Sequence, residues 1–339
     1  MDSLTPGHPE YRHTVGVEAT TGPLGAGLGM AVGMAMAKKH MAAKYNREGY
    51  PVFDHYTYAL CGDGCLMEGI SSEVMSLAGT NKLDKLIVLY DSNSITIEGN
   101  TDIAFTEDVS KRFEAFGFQV LSVEDGNDPA AIGAAIEQAK AEKEKPSFIK
   151  ITTKIGHGVP AKEGKASAHG EPLGEENVKI LRENLNWPLK EAFAVPEEVY
   201  AHYRMLAEEG AKKEAAWQEM FDEYCKRYPE LKSALDQAYD ENGADKLLDD
   251  EAFWEKSGKA EATRSISGKV INYVKDSLPN LIGGSADLGP SNKTVMNGEE
   301  SFSPEHPEGR NIHYGVREIG MTAIANGLLL HGGLRTYAA

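Results

Sequence analysis

An aspartate lies between two glycines in the stretch YALCGDGCLMEG, which spans residues 58–69. A β-like run precedes Asp63 and a helix-like run follows it. The carboxylate should therefore lie at the carboxyl end of a strand, the edge at which open α/β sheets bind ligands. The next predicted strand ends in YDSNSITIEGN, which brings Asn93 and the carbonyl of Ile95 to the same edge. Asp63 and Asn93 are 30 positions apart, the length of one βαβ unit.

These groups have the chemistry of a magnesium site that holds a diphosphate. A carboxylate, an amide oxygen and a backbone carbonyl are hard ligands, and two phosphate oxygens and a water would complete an octahedron around Mg²⁺. Ca²⁺ or another divalent cation is an alternative. Gly62 and Gly64 let the backbone approach a diphosphate, with the N–H of Gly64 and the following helix start as donors. An Asp-Gly pair alone is more often an ordinary turn, and the correctly spaced Asn93 favours the metal site.

The elements around this turn alternate between strands and helices, which predicts an α/β fold with a parallel sheet and right-handed crossovers. A helix at about 23–45 comes first, and its four glycines suit close packing against another element. The predicted strands are 57–61, 85–91, 118–123 and 147–153, and the helices between them are 66–79, about 107–116 and 129–143.

The second half of the chain predicts a connection and then a new α/β unit. Residues 174–228 have a helical pattern, and 236–262 are polar and acidic. A helix, two strand-like runs, another helix and the beginning of one more strand follow. We predict a first α/β domain over residues 1–190, a helical and acidic connection over 191–262, and the beginning of a second, incomplete α/β domain over 263–339.

Composition and charge exclude several classes of function. The chain of 339 residues has 35 basic and 52 acidic side chains, a net charge of −17. Nucleic-acid binding requires a positive footprint, so it is not expected, whereas local donors can still hold a small anion. We find no apolar run long enough for a membrane span and no signal peptide, and we expect no membrane partner. Three cysteines without framework spacing indicate reduced thiols and a cytoplasmic protein.

A set of motifs in fixed order makes the chain resemble the transketolases, which are thiamine diphosphate enzymes. The motifs are TPGHPE (5–10), GVEATTGPLGAGLG (16–29), GDGCLMEGISSEV (62–74), HGEPLG (169–174), GGSADLGPSN (283–292) and HYGVREIGMTAIANG (313–327). The resemblance implies the thiamine diphosphate-binding fold and a two-carbon ketol transfer between sugar phosphates in the pentose phosphate pathway. It also implies a homodimer for the full-length family.

In the first domain, the resemblance implies roles around the diphosphate. The backbone of Gly22 and Leu24 would contact the cofactor, together with Gly64. His169 would lie beside the diphosphate and the reacting end of the substrate, and His8 would bind a hydroxyl of the donor's two-carbon unit. The ligands Asp63, Asn93 and Ile95 would hold the metal, as the spacing already indicates, with Asn93 also counted among the cofactor contacts.

In the second domain, the resemblance implies contacts with the substrate and with the other end of the cofactor. Arg264 and Ser291 would bind the substrate phosphate, Arg264 through charge-assisted hydrogen bonds. Asp287 would lie near the cofactor at the subunit interface. Glu318 would hydrogen-bond the aminopyrimidine ring of the cofactor held by the other subunit, in a network that includes Glu68.

Each of these residues also has an ordinary explanation when it is taken alone. His8 and His169 fit exposed loops, Arg264 a surface cation, Glu318 the first turn of a helix and Asp287 a turn. The resemblance further implies that family segments before TPGHPE and after the chain's last residue are missing, so we expect a fragment. The alternatives are an inactive remnant or assembly module, and a related ketol transferase such as dihydroxyacetone synthase or deoxyxylulose phosphate synthase; TPGHPE and HGEPLG favour transketolase.

Overall fold

The computed structural model describes residues 6–255 and 258–339. The first part of the chain has four strands, Thr57–Gly62 (β1), Leu86–Ser92 (β2), Gln119–Val123 (β3) and Ser147–Thr152 (β4). They form one parallel sheet in the order β1-β2-β4-β3. The inner strand β2 is apolar and buried at Leu86, Ile87 and Val88, as expected of a strand with helices on both faces.

Five α-helices accompany this sheet, which confirms the predicted α/β fold. They are Ala26–Tyr45 (α1), Asp63–Met67 (α2), Gly69–Thr80 (α3), Val109–Ala115 (α4) and Pro129–Ala141 (α5). The single helix expected over 66–79 is interrupted, because Glu68 adopts an extended conformation between α2 and α3. The first helix begins at Ala26 rather than near 23, because Gly25 has a left-handed backbone with φ of 80°.

Between β4 and the second unit the chain is mostly helical. The helices are Glu175–Asn184 (α6), Glu197–Arg227 (α7), Pro229–Tyr239 (α8) and Glu251–Trp254 (α9). The last turns of the long α7 pack against the first domain: Tyr224 is fully buried, and its hydroxyl donates to the backbone oxygen of Tyr45 at 2.7 Å.

The elements of the second α/β unit are Thr263–Ser277 (α10), Leu281–Ser285 (β5), Gly289–Asn292 (α11), Asn311–His313 (β6), Glu318–His331 (α12) and Arg335–Ala338 (β7). Its strands form a parallel three-stranded sheet in the order β6-β5-β7. The strand that the sequence only begins to indicate at its end is thus formed, and it pairs with β5.

The two units meet where α12 lies directly against α1. A Cβ atom on Gly33 would be 2.1 Å from the backbone oxygen of Ile324, and one on Gly327 would be 2.0 Å from that of Met30. Side chains cannot occupy such a crossing, so the glycines of α1 serve close packing, as predicted, and their partner is a helix of the second unit. Within the described residues, no helix is both long enough and apolar enough to cross a membrane.

Candidate diphosphate and metal site

The carboxylate of Asp63 joins the end of β1 to the loop that follows β2. Parallel pairing sets Gly62 beside Asp91, so both strands end at the same sheet edge. Asp63 is only 4% exposed. Its Oδ1 accepts a hydrogen bond from the Tyr90 hydroxyl at 2.6 Å, and its Oδ2 accepts from the backbone N–H groups of Ser94 at 3.1 Å and Asn93 at 3.3 Å. A carboxylate held by three donors keeps one orientation.

The loop after β2 turns sharply where its backbone meets the Asp63 carboxylate. Ser94 has a left-handed backbone with φ of 60°, a conformation that is costly for a residue other than glycine and is often found at functional sites. The side-chain oxygen of Asn93 accepts from the N–H of Ile95 at 2.9 Å. Hydrogen bonds therefore link Asp63 to Asn93, and Asn93 to Ile95, the three residues that the sequence nominates as metal ligands.

A glycine-lined loop lies beside the carboxylate. A Cβ on Gly64 would be 3.1 Å from Cδ1 of Leu24, so the TTGPLG segment sits against the residue next to Asp63. Gly25, the last residue of that segment, packs closely on Ile70, because a Cβ there would be 2.5 Å from the Ile70 side chain. Nothing lies within 4 Å of a Cβ on Gly22 or on Gly62, which leaves open space along their backbone. An open, glycine-lined edge with hard oxygen ligands fits a diphosphate and its cation.

Burial shifts the pKa of two groups near the Asp63 carboxylate. It raises the pKa of Tyr90, and the hydrogen bond to Asp63 raises it further, so the phenol keeps its proton and remains a donor. Burial also raises the pKa of the Cys61 thiol. Cys61 is 4% exposed, which is consistent with the packing role that its sequence position indicates.

His8 and His169 both have exposed side chains. The segment after His8 is tied to the glycine loop, because the N–H of Tyr11 donates to the Thr20 hydroxyl at 3.0 Å. His169 ends a short helical turn, and its N–H donates to the oxygen of Ala166 at 2.9 Å. Their roles toward cofactor and substrate stay predictions.

Arg264 and Ser291 lie on neighbouring helices of the second unit, near the beginning of α10 and within α11. A Cβ on Gly268 in α10 would be 2.7 Å from the Lys293 side chain just after α11, so the two helices touch. The residue after Arg264 and the residue before Ser291 both line one cleft of about 500 Å³. Asp287 follows the carboxyl end of β5 and is exposed, with a left-handed φ of 66°.

Glu318 is the first residue of α12 and is exposed. The beginning of this helix is fixed to α3, because the N–H of Gly320 donates to Glu73 Oε2 at 2.8 Å and the Arg317 guanidinium lies 3.3 Å from the Ser76 hydroxyl. Among the described residues, no hydrogen bond joins Glu318 to the Asp63 loop. Whether its carboxylate serves a second subunit stays a prediction.

Sequence reasoning missed three residues of this site: Tyr90, Asp91 and Thr153, which hydrogen-bond to Asp63, to Asn93 or to one another. Two of them stand immediately before the SN pair at the end of the strand, which was the available signal. In the part of the chain described, no three His, Cys, Asp or Glu side chains form a metal cluster. The proposed ligand set contains only one such side chain.

The fold, two α/β units with parallel sheets, is that of the thiamine diphosphate-binding class, as two family models indicate. The family model "Transketolase, thiamine diphosphate binding domain" matches residues 1–243, and "Transketolase, pyrimidine binding domain" matches residues 259–339. The chain belongs to the transketolase family.

Known proteins of this family resemble the chain throughout its length. It is 52% identical over 342 aligned positions to a transketolase of Geobacillus stearothermophilus, covering 99% of this chain and 50% of the relative. The solved transketolase of Leishmania mexicana superposes with a TM-score of 0.92 at 41% identity, covering 99% of this chain and 50% of that one. A Pichia stipitis transketolase in complex with sedoheptulose 7-phosphate gives a TM-score of 0.91 at 40% identity and covers 99% and 51%. The chain thus spans about half the length of these relatives.

Proposed function

We propose that this chain provides the thiamine diphosphate and divalent-cation site of a transketolase. The reaction is transfer of a two-carbon ketol unit from a ketose phosphate such as xylulose 5-phosphate to an aldose phosphate such as ribose 5-phosphate or erythrose 4-phosphate, in the pentose phosphate pathway of the cytoplasm. The observation that carries the proposal is the buried carboxylate of Asp63, held against the Asn93–Ile95 loop at the carboxyl edge of a parallel sheet.

Asp63, Asn93 and the carbonyl of Ile95 would hold Mg²⁺, and the backbone at Gly22, Leu24 and Gly64 would face the diphosphate. Asp63 also places a negative charge beside an anionic ligand, a repulsion that the cation offsets. When bound, thiamine diphosphate supplies the reactive carbon and the electron sink for breaking and making the carbon–carbon bond.

The substrate is a sugar phosphate, bound by local groups on a strongly acidic protein. His8 and His169 would contact its reacting end, while Arg264 and Ser291 on their neighbouring helices would hold its phosphate. The Pichia stipitis transketolase, solved in complex with xylulose 5-phosphate and with sedoheptulose 7-phosphate, supports this substrate class.

The working unit is a homodimer in which Glu318 and Asp287 serve the cofactor at the subunit interface. Glu318 is exposed at the beginning of a helix, between the apolar side chains of Val316 and Ile319, which are 74% and 68% exposed. Apolar residues exposed around an acid fit a surface that a second subunit covers.

Calorimetric titration with thiamine diphosphate, with and without Mg²⁺, tests the cofactor site. We expect Mg²⁺-dependent binding that Asp63→Ala weakens by at least about tenfold, because the variant removes the only charged side chain among the proposed ligands. Asp102→Ala, which removes an exposed carboxylate further along the same loop, should bind like the wild type. Equal binding by Asp63→Ala would contradict the assignment.

A ketol-transfer assay on the same preparations distinguishes an enzyme from an assembly module. Because the chain spans about half the length of its relatives, the proposal predicts little transfer by the chain alone and clear transfer once the remaining half of a related transketolase is supplied in trans. Cofactor binding without any transfer even then would indicate a module that still folds around the diphosphate site.

A further inference from the structure

The carboxylate of Asp91 has no part in the ligand set proposed above, although it lies directly beside it. Asp91 stands near the end of β2, paired in register with Gly62 on one side and with Ile151 on the other. It is half-buried. A carboxylate at this place adds negative charge next to a diphosphate, so its presence calls for a physical reason.

The hydrogen bonds of Asp91 lead to Asn93. Its Oδ1 accepts from Nδ2 of Asn93 at 3.3 Å and also from the hydroxyl of Thr153, in a short hydrogen bond. Thr153 is itself fixed, because its backbone N–H donates to the oxygen of Ser92 at 3.2 Å. Asp91 is therefore held from β4's side of the sheet while it holds the amide of Asn93.

This arrangement matters because the two ends of an amide are nearly equal in shape and opposite in function. Only the oxygen of Asn93 can bind a cation, whereas the NH₂ group would repel it. An ionised carboxylate only accepts hydrogen bonds, so Asp91 attracts the NH₂ end. The oxygen then points to the other side, where it accepts from the N–H of Ile95 at 2.9 Å and keeps a second lone pair.

We propose that Asp91, held by Thr153, is a positioning residue that fixes the Asn93 amide with its oxygen toward the cation. The proposal rests on the proposed function, since it takes Asn93 to be a ligand. It assigns Asp91 no contact with the metal and explains why a second acid is placed at this edge.

The test is Mn²⁺ binding at a fixed concentration of thiamine diphosphate, measured from the loss of the free Mn²⁺ EPR signal against a protein-free blank. Asp91→Ala removes the acceptor, so the amide can flip, and the affinity should fall about ten- to hundredfold, as for other supporting residues of metal ligands. Asp91→Asn removes the charge and keeps an acceptor oxygen. It should stay within about threefold of the wild type, the scale of one screened charge several ångströms away.

Two results for the Asp91 variants would overturn the proposal. An unchanged affinity in Asp91→Ala would show that the amide needs no such support. Equal weakening in Asp91→Ala and Asp91→Asn would show that Asp91 acts by attracting the cation. If the wild-type chain binds no Mn²⁺ at all, the proposed metal site fails first, and this inference fails with it.

Thr153 provides a second pair of variants that does not depend on the folding of Asp91→Ala. Thr153→Val removes the hydroxyl that holds Asp91 and should weaken Mn²⁺ binding, by less than Asp91→Ala. Thr153→Ser keeps the hydroxyl and should bind Mn²⁺ with the affinity of the wild type. Thermal unfolding of the metal-free variants separates this effect from a general loss of stability, and weakening that Thr153→Ser does not rescue would contradict the role.

Discussion

The phenol of Tyr90 holds the Asp63 carboxylate of the candidate site and packs in the core of the sheet. It is 3% exposed, stacks on Phe148 with ring centroids 5.6 Å apart, and donates to Asp63 at 2.6 Å. A buried carboxylate that loses one of its donors is left partly unsatisfied, which costs more than the hydrogen bond itself contributes. Tyr90 thus links the packing of the sheet to the orientation of the proposed metal ligand.

Tyr90→Phe should lower the free energy of unfolding by about 1.5–3 kcal/mol, the usual range for a hydrogen bond to a charged group. Chemical denaturation of the metal-free chain measures this. Tyr58→Phe makes the same change at a half-exposed tyrosine on the neighbouring strand β1 and should stay within about 0.5 kcal/mol of the wild type. Similar losses in both variants would mean that the Tyr90 hydrogen bond has no special weight.

At this scale, the sequence predicted which residues meet but not how they are held. Asp63, Asn93 and Ile95 could be placed at one edge because parallel strands end together. The parts played by Tyr90 and Asp91 depend on side-chain rotamers and on the left-handed backbone of Ser94. Hydrophobic periodicity predicts neither the rotamers nor that backbone conformation.

Among the elements, the crossing of α1 and α12 joins the two domains through glycines. Gly33→Ala would put a Cβ 2.1 Å from the oxygen of Ile324, so the helices must move apart. We expect the free energy of unfolding to fall by about 1–3 kcal/mol, the usual cost of overpacking. Gly210→Ala, in the exposed α7 with nothing within 4 Å of the added Cβ, should instead stabilise by up to about 1 kcal/mol.

Both glycine variants are measured by the same denaturation experiment, which makes them a matched pair. Equal effects would show that the crossing tolerates a side chain. The sequence indicated that the glycines of α1 serve close packing, but it could not name the partner, because α12 lies nearly 300 residues further along the chain.

Acid should weaken the same domain contact through His40. This residue of α1 is 1% exposed, and its Nδ1 lies 3.1 Å from the oxygen of Pro307 in the second domain. Burial, and next the charge of Lys44, lower its pKa from 6.5 to about 3. The unfolded chain therefore takes up a proton below pH 6.5 while the folded chain does not, and stability falls as the pH is lowered.

The expected loss is about 1.4 kcal/mol for each pH unit between about pH 6 and pH 3. Denaturation curves across this range measure it, and His40→Gln should remove this part of the slope. His202→Gln, at an exposed position of α7, is the control and should leave the slope unchanged. A slope that survives in His40→Gln would assign the acid sensitivity to other groups.

For the whole molecule, the proposed homodimer depends on the exposed apolar surface beside Glu318. Ile319→Glu places a charge where a second subunit would pack, so sedimentation should show dissociation into monomers, while the fold is kept because the residue is 68% exposed. Leu248→Glu, at a residue of similar exposure just after the helical turn Asp245–Leu247, should leave the dimer intact. A dimer that tolerates Ile319→Glu would place the interface elsewhere.

The most direct test of the central claim is the position of the cation itself. In crystals grown with thiamine diphosphate and Mn²⁺, the anomalous signal locates the metal without reference to activity. The account predicts a peak within about 2.0–2.6 Å of the Asp63 carboxylate, the Asn93 side-chain oxygen and the Ile95 carbonyl. Bound cofactor with the peak elsewhere, or with no peak at this edge of the sheet, would contradict it.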